Sequence, residues 1–210
     1  MTLNDDILSN NGLAPSGKGR TLIIGCGALA HEILAIKRLN GWDHIDLQCL
    51  PAILHNQPDK ITDAVASAVY NAQGYDKILV AYADCGTGGM LAAKCKDLNV
   101  EMIAGPHCYS FFEGNSAFTA RGEFTSFYLT DFLARQFDAF VWRPLGLDRH
   151  PNLKEMYFGN YEKLVYLAQT NDDRLTKTAE ECAKRLGLAF ERRFTGYGDL
   201  QVALEAAAAT

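Results

Sequence analysis

Residues 77–89, KILVAYADCGTGG, decide the fold. Ile78, Leu79, Val80 and Ala81 form a short apolar run cut off by glycines, the pattern of a buried parallel strand entering a βα loop. Asp84 and Cys85 stand in that loop, and Thr87, Gly88 and Gly89 open the helix that follows. Two other strand-like runs also end in cysteine: TLIIGCG carries Cys26, and VEMIAGPHCYSFF carries Cys108. Open α/β sheets place their functional crevice at the carboxyl ends of the strands. Three cysteines therefore fall where chemistry gathers.

On the N-terminal side, residues 28–40 (ALAHEILAIKRLN) space Leu29, Ile33, Leu34, Ile36 and Leu39 along one helical face, and Gly41 supplies the stop. Residues 45–50 predict a second strand, and Pro58 and Asp59 start a helix ended by Gly74. A helix over 89–98 and a strand over 100–104 follow. Further on, the pattern predicts a helix from Thr130 to before Pro144, a strand over 163–168, a helix over 175–186 and a strand over 188–194. The alternation implies an α/β fold: a single Rossmann-like or flavodoxin-like domain over 21–210, with a mostly parallel sheet of about six strands and helices on both faces. Residues 1–20, rich in Asn, Gly and Ser, suggest a flexible leader. The Phe-rich segment 110–127 suggests a lid or extended active-site loop that shields a small-molecule substrate.

Bulk properties narrow the function. At 210 residues the chain buries a core without staples. A net charge of −5 with no basic stripe argues against nucleic acid as a partner. No run approaches a membrane span, and the first residues lack a basic and apolar secretory pattern, so a cytoplasmic location is expected. In that reducing setting the six cysteines are thiols, ligands or packing residues rather than disulfides.

Thiolates bind soft metals, and βα loops lie near helix N-termini that favour the anion. Cys26, Cys85 and Cys108 are thus candidate metal ligands. Three protein ligands plus an open position is the pattern of catalytic zinc, and a [4Fe–4S] cluster with one open iron is the alternative. His55, in LPAILHNQP, and His107 are candidate further ligands or acid/base groups, and Asp84 is a candidate acid/base, ligand orienter or helix cap. Cys49, Cys95 and Cys182 read as packing residues. GCGALA at 25–30 has the GxGxxA form of a dinucleotide loop, but an acidic residue at the end of strand 2 is lacking. Gly25 and Gly27 there, with Gly86 and Gly88 in CGTGG, are candidate cofactor-binding positions. A Rossmann-type nucleotide or S-adenosylmethionine enzyme is the runner-up.

The ordered motifs GCGALAHE, LPAILHNQP, YADCGTGG, PHCYSFF and NYEKLVYLAQT resemble the domain-of-unknown-function family 1638 (DUF1638). Cys26, His55, Cys85 and Cys108 fall in its shared motifs, although YADCGTGG departs from the family's YGxCGxG-like run at Ala83 and Asp84. The resemblance implies an association with corrinoid-dependent methyltransferases and hence one-carbon or methyl-group metabolism. The resulting expectation is a metal-dependent transferase or lyase. Against it stands a non-catalytic metal or corrinoid accessory protein for a methyltransferase partner.

Overall fold

The computed structural model describes residues 4–209. In chain order the elements are α1 (Asp5–Asn10), β1 (Thr21–Cys26), α2 (Ala30–Asn40), β2 (Ile45–Leu50), α3 (Ile61–Asn71), β3 (Lys77–Ala81), α4 (Met90–Asp97) and β4 (Glu101–Met102). Then come α5 (Ser110–Glu113), α6 (Asn115–Arg121), β5 (Ser126–Leu129), α7 (Asp131–Arg135), α8 (Leu153–Phe158), β6 (Lys163–Ala168), α9 (Asp173–Leu186), β7 (Ala189–Phe194) and α10 (Gly198–Ala208). Contacts divide the chain into two compact units. One takes in the chain up to Phe111 and again from Tyr197; the other is Phe112–Gly196.

The strands form two parallel sheets, ordered β2-β1-β3-β4 and β5-β6-β7. This corrects the expectation of one sheet of about six strands. The sequence predicts the strand and helix runs but carries no signal for which strands pair, and β5 escaped notice inside the Phe-rich segment. Segment 110–127, expected as a lid or loop, is largely regular: it holds α5, α6 and the start of β5, with Phe111 and Phe112 buried.

The first sheet has the order of the flavodoxin-like type, in which the chain moves outward in both directions from β1. Central β1 is buried along its whole length, with Leu22, Ile23 and Ile24 fully enclosed. Each such side chain contributes roughly 1.5–3 kcal/mol by leaving water. α10 packs against α2, and α3 against α4; with this strand order the right-handed crossover rule assigns the two pairs to opposite faces. The expected leader is docked rather than loose along part of its length. His31 of α2 pairs with Asp5 at 2.7 Å, and Leu13 exchanges two backbone hydrogen bonds with Cys49 at the edge of β2.

In the second unit, α9 buries Ala179, Cys182, Ala183 and Leu186 at helical spacing and packs on β6 and β7. The Asp172 side chain caps it by accepting from the Arg174 and Leu175 N–H groups. Asp131, 1% exposed, pins this sheet. Its carboxylate accepts from the Tyr166 hydroxyl (2.7 Å), the Thr170 hydroxyl (2.6 Å), and the Gln169 and Thr170 N–H groups (both 3.1 Å).

Candidate functional site

Cys26 ends β1, and the loops leaving β3 and β4 carry Cys85 and Cys108. These three strands are neighbours in one sheet, so their carboxyl ends lie side by side, with the reversal of strand order between β1 and β3. Backbone bonds extend the pairing of β3 and β4 into their loops. Ile103 N–H donates to Val80, Asp84 N–H to Gly105 (2.9 Å) and Cys85 N–H to Pro106 (3.0 Å). That zipper brings Cys85 Sγ to 3.0 Å from Cys108 Sγ.

The loop around Cys85 is built from unusual backbone. Cys85 itself has φ +48°, a left-handed conformation that few residues other than glycine adopt cheaply. Asp84 holds the turn: its carboxylate accepts from Gly89 N–H (2.6 Å), Gly88 N–H (3.2 Å) and the Thr87 hydroxyl (3.0 Å). The Gly89 N–H, with the other donors, keeps that carboxyl below its usual range. Asp84 is thus the cap of the turn leading into α4. It also fills the backbone donors of Gly88 and Gly89 that an outside anion would need.

Charge within the cluster is asymmetric. The contact with Cys108 lowers the Cys85 thiol from its ordinary value, while the same contact and burial hold the Cys108 thiol well above it. Burial pushes the Cys26 thiol up to about 12. His55 and His107 lie within electrostatic reach of each other, and burial lowers both from the usual imidazole value. Both rings are neutral near pH 7, the form that binds metals or accepts a proton. His107 also stacks on Tyr109, with ring centroids 4.9 Å apart.

Two residues belong to this cluster that the sequence did not single out. Tyr82 is 1% exposed, and its hydroxyl has no hydrogen-bond partner of ordinary geometry among the described residues. It lies within electrostatic reach of Cys26, Cys108 and Cys49. Cys49, assigned to packing from sequence, is buried in β2 opposite Gly25 and interacts electrostatically with Cys26. The signal for Tyr82 was a phenol inside the small-residue run AYADCG at a strand exit. Nothing local marked Cys49, whose position depends on strand register. Cys95 and Cys182 are buried on α4 and α9.

As the side chains stand, no group of three or more His, Cys, Asp or Glu among the described residues is arranged to hold a metal ion. What the structure supplies is a two-thiol contact, a third thiol at the end of the neighbouring strand, and a buried phenol beside it. The glycines of GCGALA serve packing. A Cβ on Gly27 would lie 2.4 Å from the Leu8 carbonyl oxygen and 3.1 Å from that of Leu50, so α1 and β2 pack closely against this glycine. Gly25 similarly leaves room for Ile33 at 3.2 Å. Gly86 and Gly88 have φ +83° and +62°, which the turn requires. No described helix is long and apolar enough to cross a membrane.

Comparison with known proteins gives one relationship. No curated protein and no solved structure matches the chain. The family described as "Protein of unknown function (DUF1638)" matches residues 49–204, a span that contains His55, Cys85, His107 and Cys108 and leaves out Cys26. The chain belongs to the DUF1638 family.

Proposed function

We propose that the carboxyl edge of the first sheet is a thiolate centre for a soft metal ion, zinc first, and that the protein uses it enzymatically on a small molecule. The observation that carries this is the 3.0 Å contact between Cys85 and Cys108 on the adjacent loops that leave β3 and β4. Cys85 and Cys108 are the primary ligands. Cys26 is the third after a side-chain rotation, and His107 or His55 is a neutral nitrogen donor or acid/base group. The donor chemistry fits: cysteine and imidazole are the ligands zinc takes. The buried Tyr82 hydroxyl supports the assignment, because it faces Cys26 without a hydrogen bond of ordinary geometry, and a thiolate there would be a stronger acceptor. Bound zinc would act as a Lewis acid or activate a thiol for alkyl transfer, which suits the methyl-group context that the family resemblance implies. Asp84 keeps Cys85 in place rather than transferring protons.

A second reading, an iron–sulfur centre, draws on Cys49. With it, Cys26, Cys49 and Cys108 lie within electrostatic reach of Tyr82 and Cys85 touches Cys108, a set of four thiols, and complete cysteine ligation of a cluster uses four.

Titration of the reduced full-length protein with cobalt(II) tests the proposal. Sulfur-to-cobalt charge-transfer absorption should saturate near one ion per chain. It should be lost in Cys85→Ser and in Cys108→Ser, and weakened in Cys26→Ser. Undiminished absorption in the double variant at positions 85 and 108 would overturn the assignment.

A further inference from the structure

We propose that Cys85 and Cys108 are also a redox-active dithiol that reduces small linear disulfides by thiol–disulfide exchange. This shares a site with the metal reading but does not depend on it.

The geometry carries the proposal. The two sulfurs touch at 3.0 Å, and both cysteines are free and half-buried rather than sealed in the core. The backbone bonds Asp84–Gly105 and Cys85–Pro106 already hold the two loops at the spacing of paired strands. Closing a disulfide therefore asks for little backbone movement. Cys26, Cys49, Cys95 and Cys182 are all buried, which leaves this pair as the accessible one among the six thiols. Cys85 is the attacking member, because it sits in the glycine turn where Gly88 and Gly89 have open space beside their Cα atoms. Cys108 is the resolving member.

The step balances without an outside co-reactant beyond the disulfide itself. Cys85 sulfur attacks one sulfur of R–S–S–R, forming the mixed disulfide Cys85–S–S–R and releasing RS⁻. Cys108 sulfur then attacks Cys85 sulfur, forming the Cys85–Cys108 bond and releasing the second thiolate. The two protons of the cysteine pair leave on the two released thiols. The substrate disulfide gains two electrons, and the cysteine pair loses two.

Oxidised glutathione is the probe, added to reduced full-length protein with and without a chelator and followed by thiol counting and tryptic mass mapping. Trypsin separates Cys26, Cys85 and Cys108 onto residues 21–37, 78–94 and 97–121, so each crosslink is distinct. The expected result in the chelated protein is loss of two thiols per chain and a joined 78–94/97–121 pair. Cys108→Ser should trap glutathione on Cys85, and Cys85→Ser should react at least about tenfold more slowly. A crosslink through Cys26 instead, or no joined pair after chelation, would overturn the proposal. The wild-type crosslink map serves even if a variant fails to fold. A protein that binds no cobalt yet forms this disulfide retires the metal reading alone, and one that binds cobalt yet never forms the disulfide retires this inference alone.

Discussion

Replacing Asp84 tests the local architecture on which the site depends. Its Oδ1 accepts from Gly89 N–H at 2.6 Å and from the Thr87 hydroxyl at 3.0 Å, and its Oδ2 accepts from Gly88 N–H at 3.2 Å. Asp84→Ala removes all three acceptor contacts and leaves Cys85 in its left-handed conformation with nothing to hold the turn. The loss of a capping carboxylate costs about 1–2 kcal/mol. For a chain of this length that is roughly 2–8 °C in Tm, at about 2–4 °C per kcal/mol. Asp84→Asn keeps the Oδ1 acceptor and loses only the Gly88 contact, so its cost should be clearly smaller. The effect is also pH-dependent with a defined sign. The folded-state carboxyl lies below its ordinary value of 3.8, chiefly through the Gly89 N–H. Its contribution is therefore complete above that value and disappears as pH falls through the lower folded value. Differential scanning calorimetry of the three proteins between pH 7 and pH 3 measures this. Equal stability of wild type and Asp84→Ala at pH 7 would refute the capping role, as would a gap that widens on acidification.

Three further outcomes follow from the same geometry. Gly27→Ala should destabilise the protein by about 1–3 kcal/mol, because the new methyl meets the Leu8 carbonyl and the β2 backbone rather than flexible side chains; urea denaturation checks it, and an unchanged midpoint would argue against that packing. Asp131→Ala should cost about 3 kcal/mol or more by leaving the buried donors on Tyr166 and Gln169 unpaired and releasing Thr170; the denaturation midpoint followed by tryptophan fluorescence reports it. Glu191, paired with Arg193 and Lys163, has its carboxyl lowered from 4.5 to about 2, so Glu191→Gln should lower stability at pH 7 and match wild type as pH falls from 4.5 through 2. Persistence of that difference at the acid end would show another cause.

Much of the fold was legible because its elements carry strong local patterns. The run KLVYLA gave β6, and the Ala179–Leu186 spacing with Gly187 gave α9 and its end. Pairing was not legible, because parallel strands meet through long crossovers and nothing in Lys163–Ala168 says that it joins β5 and β7 rather than β4. β5 was missed because SFYL is four residues long and lies inside a Phe-rich stretch that reads as irregular. At the site, Cys26, Cys85 and Cys108 were visible because each follows an apolar run directly. Tyr82 was hidden by its likeness to an ordinary strand residue. Cys49 was hidden because its neighbour Cys26 is set by a one-to-one register between β1 and β2. The role of α1 in filling the space beside Gly27 is a tertiary fact with no trace in GCGALA itself.

The central claim is that three strand-end thiols form one soft-metal centre. Elemental analysis of full-length protein purified without air, taken with its visible spectrum, tests it most directly. The account predicts about one zinc per chain and a colourless solution, with the metal released by a chelator and by the Cys85→Ser and Cys108→Ser changes. A protein that takes up neither zinc, cobalt nor iron when each is supplied in excess would contradict it and return these cysteines to packing and thiol exchange.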